Sequence, residues 1–225
     1  MSRVLVIPDL HCPCMHPNTI EILKAAKRKF KPTRVVVIGD IVDWRSISYH
    51  EKHTSASNPH DEFVSAYQQL QSIYKLFPKA DWLIGNHDDL PKRKALTAEL
   101  PAEVLMYPYK DLFNVNGWKV TERYGSIEID GVLYRHGDSG KGGQRLAAFA
   151  NALVLGKPLV QGHHHGQGGV EFHDNGQNII WGMQVGCLID RENPAFTYGL
   201  RFDRKPILGY GVVIDGVPQF IPVYE

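Results

Sequence analysis

The chain has 225 residues, enough for one domain with a sizeable core, and its 43% hydrophobic and 22% charged content is that of a soluble globular protein. A formal net charge of +1 gives no global field to attract nucleic acid or an anionic membrane, although a local basic patch is compatible with it. Three cysteines, Cys12, Cys14 and Cys187, form no disulfide framework, and no run reaches the ~18 apolar residues of a membrane span, so the sequence reads as cytoplasmic.

Arg3 to Pro8 predicts a first strand with Asp9 at its tip, and its apolar run is too short for the core of a signal peptide. Pro17 to Phe30 carries Ile20, Leu23, Ala26 and Phe30 at helical spacing, with Lys24, Lys27, Arg28 and Lys29 near the C-terminal end of the helix dipole. Arg34 to Trp44, RVVVIGDIVDW, is the stretch around which the chain is organised. Its run of β-branched residues, Val35 to Ile38, reads as a strand buried on both faces, and Asp40 follows at its carboxyl end. Strand, helix and strand in this order make a βαβ unit. Asp61 to Phe77 predicts a second helix, Ala80 to Ile84 a third strand, and Leu90 to Leu100 a third helix, while Ala102 to Asn116 has no clear period.

From Trp118 the pattern shortens. Trp118 to Val120, Ser126 to Ile129 and Val132 to Arg135 predict strands, with Asp130-Gly131 a hairpin turn. Gly140 to Gly143 is a loop without the spacing of a nucleotide-binding P-loop. Gln144 to Leu155 predicts a helix and Pro158 to Gln161 a strand. Gly169 to Val223 predicts successive strands with a second hairpin turn at Asp215-Gly216. Neither a linker nor an internal repeat divides the chain.

Five polar blocks each follow an apolar strand-like run. They are Asp9-Leu10-His11, Gly39-Asp40-Ile41-Val42-Asp43, Gly85-Asn86-His87-Asp88, His136-Gly137-Asp138 and Gly162-His163-His164-His165. Strand tips on one sheet edge converge, so these groups are expected to meet in space. Imidazoles and carboxylates together suit first-row divalent metals, whereas Cys12 and Cys14 read as reduced thiols rather than ligands. His16, His50, His53, His60 and His173 stand outside this grammar.

The five blocks resemble the pattern of the calcineurin-like metallophosphoesterase superfamily: D-x-H, G-D-x-x-D, G-N-H-D/E, H and G-H-x-H. The resemblance implies an α/β fold, a four-layer α-β-β-α sandwich with a mixed β-sheet core, as a single domain over residues 1–225. It implies two divalent ions. One would take Asp9, His11, Asp40 and His165, and the other Asp40, Asn86, His136 and His163, so that Asp40 bridges. His164 fills the variable position. Manganese is the first choice, with iron, zinc, nickel or cobalt acceptable to the same oxygen–nitrogen set. Two ions ~3.5–4 Å apart can hold a bridging hydroxide that attacks phosphorus. His87 is left unmetallated, and the family assigns it to the leaving-group oxygen or the transition state. Asp88 is expected to orient that imidazole, and Asp43 and Asp138 to hold ligand histidines.

The resemblance points to small stand-alone bacterial or phage-type phosphoesterases. Protein phosphatases of the superfamily carry G-D-x-V-D-R-G and G-N-H-E, whereas Trp44 and Arg45 follow Asp43 here and the third block ends in Asp88. The lipid A pathway hydrolases have arginine where His87 stands. Trp44, Tyr49, His50, Lys92, Arg93, Lys94 and Arg145 follow ligand blocks and are candidates for the substrate pocket. The expected activity is phosphodiester hydrolysis on a nucleotide or nucleic acid. A phosphomonoesterase and a non-catalytic scaffold on the same fold are the alternatives.

Overall fold

The computed structural model describes residues 2–49, 58–101, 108–140, 146–193, 203 and 205–224. In chain order the first half runs β1 (Arg3–Ile7), α1 (Thr19–Phe30), β2 (Arg34–Val37), α2 (Pro59–Leu76), β3 (Ala80–Leu83), α3 (Leu90–Thr97), α4 (Tyr109–Leu112) and β4 (Trp118–Thr121). The second half runs β5 (Ile127–Ile129), β6 (Val132–Arg135), α5 (Ala147–Leu155), β7 (Leu159–Gln161), β8 (Gly168–Asp174), β9 (Ile179–Val185), β10 (Gly209–Ile214) and β11 (Val217–Pro222).

These strands form two mixed sheets, one of six in the order β11-β10-β1-β2-β3-β4 and one of five in the order β5-β6-β7-β9-β8. In the first, β1 to β4 are mutually parallel and β10 pairs antiparallel with β1. In the second, β6, β7 and β9 are parallel. The chain returns from the second sheet to the first through β10, so both sheets are built from distant segments.

The alternation of side chains along β1 and β2 explains the layering. Val4, Val6, Val36 and Ile38 face the second sheet and pack with Val132, Tyr134, Val160, Trp181, Met183 and Val185. Leu5, Ile7, Val35 and Val37 face the other way, onto Leu23, Ala26 and Phe30 of α1 and Ala66, Leu70 and Ile73 of α2. α5 covers the outer face of the second sheet over β7 and β9. Helices, sheet, sheet and helix make the expected four layers. A strand with two dry faces has no use for polar residues, which is why Val35 to Ile38 does not alternate.

Both hairpins form at the expected turns. Asp130 and Gly131 join β5 to β6, and Asp215 and Gly216 join β10 to β11, with positive φ at both residues of each pair. Helix ends differ more. α2 starts at Pro59 because the Asn58 side chain accepts the Asp61 N–H and caps it. α3 stops at Thr97, and Glu99 turns left-handed at φ 56°. α5 starts at Ala147, three residues later than expected, and 144–145 lie outside the described residues. Within 108–116 the chain forms the short α4. Among the described residues no helix is long and apolar enough to cross a membrane.

Candidate metal centre

The five polar blocks leave the carboxyl ends of β1, β2 and β3 in one sheet and of β6 and β7 in the other. Their side chains meet between the sheets. His11 Nε2 stands 3.2 Å from His165 Nε2, which is 3.1 Å from Asp9 Oδ2. His136 Nε2 stands 3.2 Å from Asp40 Oδ2 and 3.1 Å from Asn86 Oδ1. Three trios of donor atoms each fit within 4.8 Å: Asp9, His11 and His165; His11, Asp40 and His87; and Asp40, His136 and His163. Asp40 belongs to two of them. His87 joins one, although the sequence reading leaves it unmetallated.

The hydrogen bonds show what this cluster lacks. His11 Nδ1 donates to Asp43 Oδ1 at 2.7 Å, and His136 Nδ1 donates to the Ile38 carbonyl at 3.1 Å. A neutral imidazole has one N–H, so each Nε2 then presents a lone pair. That of His136 faces the acceptors Asn86 Oδ1 and Asp40 Oδ2, and Asp9 Oδ1 is buried with no partner. Acceptors that face one another in a buried site are stable only with a proton or a cation between them. Ligands bound at ~2.0–2.2 Å around one ion stand about 3 Å apart, which is the spacing found here. The donor set therefore fits a divalent ion.

The electrostatics agree. Burial acts to raise the Asp40 carboxyl, but the His136 and His87 imidazoles outweigh it and hold the group well below the usual carboxylate range. Burial likewise opposes the imidazolium of His87, yet the Asp40 charge and the Asp43 hydrogen bond raise it to about 9. His136 is raised to about 10, with burial again overcome by Asp40. His163 moves the other way, to about 4, through burial and the neighbouring His136. Without an ion, protons on His87 and His136 take its place.

The backbone is bent to present these groups. His11, Asp40 and His163 take φ of 50°, 44° and 69°, a conformation that costs a non-glycine residue on the order of 1 kcal/mol or more. Two block glycines are required by close approach. A side-chain carbon on Gly85 would overlap Asp40 Oδ1, and one on Gly162 would overlap Asp9 Oδ1. The Asp40 carboxylate also accepts the His87 N–H at 2.7 Å, and Asp9 accepts the His163 N–H at 2.8 Å.

Several expected partners differ. Asp88 does not orient His87: it accepts from the Val42 and Gly85 N–H groups at 3.1 and 2.9 Å and from Trp82 Nε1 at 3.3 Å. Adjacent residues of a turn point apart, and Asp88 points into the core, where burial and the Asp40 charge raise its carboxyl to about 6. Asp43 takes the orienting role, with its carbonyl 2.7 Å and its Oδ1 3.1 Å from His87 Nδ1. Asp138 binds no ligand histidine, because its Oδ2 accepts from Arg123 Nε at 2.7 Å and His136 Nδ1 goes to Ile38. Trp44 is a core residue, 8% exposed and stacked on Phe63 with planes 13° apart.

Lys92 reaches Glu122 at 3.7 Å on the surface. Arg93 donates to the Asn86 carbonyl at 3.2 Å and lies over the Tyr49 ring, as does Lys94. Arg145 and His50 lie outside the described residues. Cys12, Cys14 and Cys187 are free and buried, and burial raises the Cys14 thiol to about 12. The sequence reading missed Arg123, which also approaches Asp89 at 3.5 Å and so ties the loop after β3 to the loop after β6. No motif surrounds Arg123, and only the fold brings it to both loops.

A family model described as calcineurin-like phosphoesterase matches residues 2–181. The Gene 54 protein of Mycobacterium phage D29 is 24% identical over 249 residues, covering 99% of this chain and 94% of its own length. The Gene 54 protein of Mycobacterium phage L5 is 23% identical over 250 residues with the same coverage. Among solved structures, YfcE, a phosphoesterase from E. coli, is similar at a TM-score of 0.49 and 12% identity, over 96% of this chain and 90% of that one.

Proposed function

The chain belongs to the calcineurin-like phosphoesterase family and is a phosphoric ester hydrolase, and from that premise we propose that it cleaves phosphodiesters of nucleotides or nucleic acid at a centre for two divalent ions. One ion is assigned to Asp9, His11, Asp40 and His165, and the other to Asp40, Asn86, His136 and His163, with manganese as the first choice. Bound there, two such ions would draw charge from the phosphoryl oxygens and lower the pKa of a water toward neutrality.

The chain's own residues supply the rest. Asp40, the carboxylate shared between two trios among the described residues, supports a bridging role. Asp43 fixes the His11 ring and the His87 ring together. With Nδ1 anchored, His87 keeps Nε2 for the leaving-group oxygen. Arg93, bonded to the Asn86 carbonyl, is the described cation assigned to the substrate's path.

The observation that carries the diester reading is the placement of His87. Its side chain is 19% exposed, against 1–2% for His11 and His136. Among the described residues, the carboxylates of the centre are partnered by histidines and backbone N–H groups rather than by arginine or lysine. A diester carries a single charge and expels a poor alkoxide, so it gains more from a proton donor than from added cations. The test compares manganese-reconstituted protein on bis-p-nitrophenyl phosphate and p-nitrophenyl phosphate, with ion content measured alongside. Faster turnover of the monoester, or one ion per chain at saturation, overturns the reading.

A further inference from the structure

Arg135, Gln161 and Gln184 form a row across the second sheet at the ends of β6, β7 and β9, in direct register. Arg135 precedes His136, and side chains alternate, so the row faces away from the metal cluster toward α5. Gln161 and Gln184 are fully buried. Asn151 of α5 donates to Gln161 Oε1 at 3.1 Å. A side-chain carbon on Gly140 would stand 2.7 Å from Asn151 Oδ1 and 3.1 Å from Arg135 Nη2, so Arg135 and Asn151 meet beneath that residue.

Among the described residues, three donors in this row, Arg135 Nε, Arg135 Nη2 and Gln161 Nε2, and one acceptor, Gln184 Oε1, are buried and unbonded. The nearby carboxylate is that of Asp138. Asp138 is already engaged by Arg123. A water can satisfy one of these N–H groups but leaves the guanidinium charge unmatched, whereas an oxyanion answers both needs. We propose that Arg135, with Gln161 beside it, holds a phosphate-type oxyanion on the outer face of the second sheet, behind the metal centre. The oxyanion comes either from a second, non-scissile phosphate of the substrate or from free inorganic phosphate. Only the first of these sources rests on the hydrolase reading.

The test is calorimetric titration of inorganic phosphate into the full-length manganese-loaded protein and into an Asp40→Ala background, where the ion centre is disabled. Arg135→Gln is expected to weaken an Arg135-dependent component about tenfold or more in both backgrounds, as loss of a charge-assisted pair does. Arg135→Lys, which keeps the charge and loses the fork, should fall between. Identical isotherms for wild type and Arg135→Gln overturn the proposal, as does Arg135→Lys binding no better than Arg135→Gln. Persistence of the component in Asp40→Ala keeps the proposal standing even where hydrolysis fails. With active enzyme, a raised KM for a nucleoside bisphosphate but not for p-nitrophenyl phosphate in Arg135→Gln identifies the substrate as the source. Relief of phosphate inhibition with both KM values unchanged identifies free phosphate.

Discussion

His87 Nδ1 is held by Asp43 twice, at 2.7 Å by the backbone carbonyl and at 3.1 Å by the carboxylate, while the same carboxylate oxygen takes the Nδ1–H of His11. One side chain after β2 thus orients a candidate ion ligand and the candidate proton donor. His87→Ala should leave the ion content intact. It should lower turnover about 10²–10⁴-fold on a dinucleotide, and less on bis-p-nitrophenyl phosphate, whose leaving group needs little protonation. An equal loss on both substrates would remove the proton-donor assignment.

Asp43→Ala takes the acceptor from His11 Nδ1 and the longer of the two contacts from His87, whose Nδ1 keeps the residue-43 backbone carbonyl at 2.7 Å. Ion affinity should fall about 10–100-fold, as it does when the partner of a ligand imidazole is lost. Turnover at saturating manganese should recover most of its value, because the residue-43 carbonyl still holds the His87 ring. Titration of manganese against activity separates the two effects.

Asp40→Ala should lose both ions and activity together, since that carboxylate lies in two of the three trios and is the proposed bridge. Retention of two ions at full rate, measured by elemental analysis and assay, would contradict its shared role.

Arg123 binds Asp138 and Asp89 with little exposure on any of the three side chains. Arg123→Ala takes the donor from Asp138 Oδ2 and one of two partners from Asp89, which keeps the Tyr109 O–H at 2.8 Å, and should destabilise the chain by about 1–3 kcal/mol in urea unfolding. It should also weaken ion binding more than Arg123→Lys does, because the loops that carry Asn86 and His136 are no longer tied.

The ion-free protein should have a bounded pH range. His87 and His136 have folded pKa values of about 9 and 10, above the unfolded ~6.5, so their contribution is complete below ~6.5 and is lost as pH rises through 9 to 10. Asp40 is depressed, so its contribution is present above the unfolded ~3.9 and is lost at lower pH as the folded group protonates. Thermal unfolding of chelator-treated protein should therefore show a decline on the alkaline side that manganese removes. Ion affinity should rise with pH, because protons and ions compete for the same lone pairs.

The centre was legible because its chemistry sits at strand tips. Val35 to Ile38 announced a doubly buried strand, and Asp9, Asp40, Asn86, His136 and His163 each follow a run of the same kind. Contacts between such tips follow from topology, and the topology follows from the apolar runs. Roles decided by side-chain direction were not legible. Asp88 stands beside His87 in the chain but points into the core, and Trp44 follows a ligand block yet packs on Phe63. Arg123 was invisible for the opposite reason, because it reaches Asp89 and Asp138 only after both sheets are in place. The start of α2 was missed although Asn58-Pro59 is a strong cap signal, because the apolar period begins several residues later.

Two of the trios draw ligands from both sheets: Asp9 and His11 with His165, and Asp40 with His136 and His163. His11, Asp40 and His87 of the third trio all follow strands of the first sheet, but in the proposed four-ligand sets neither half of the sandwich supplies every ligand, so an ion held by those sets would settle only after the halves have docked. Under the proposed assignment, metallation would be a late event in folding and a reporter of it. A chelator should loosen the seam from that rim inward, with amide exchange quickening first at the ends of β6 and β7 while the valine-rich interior stays protected.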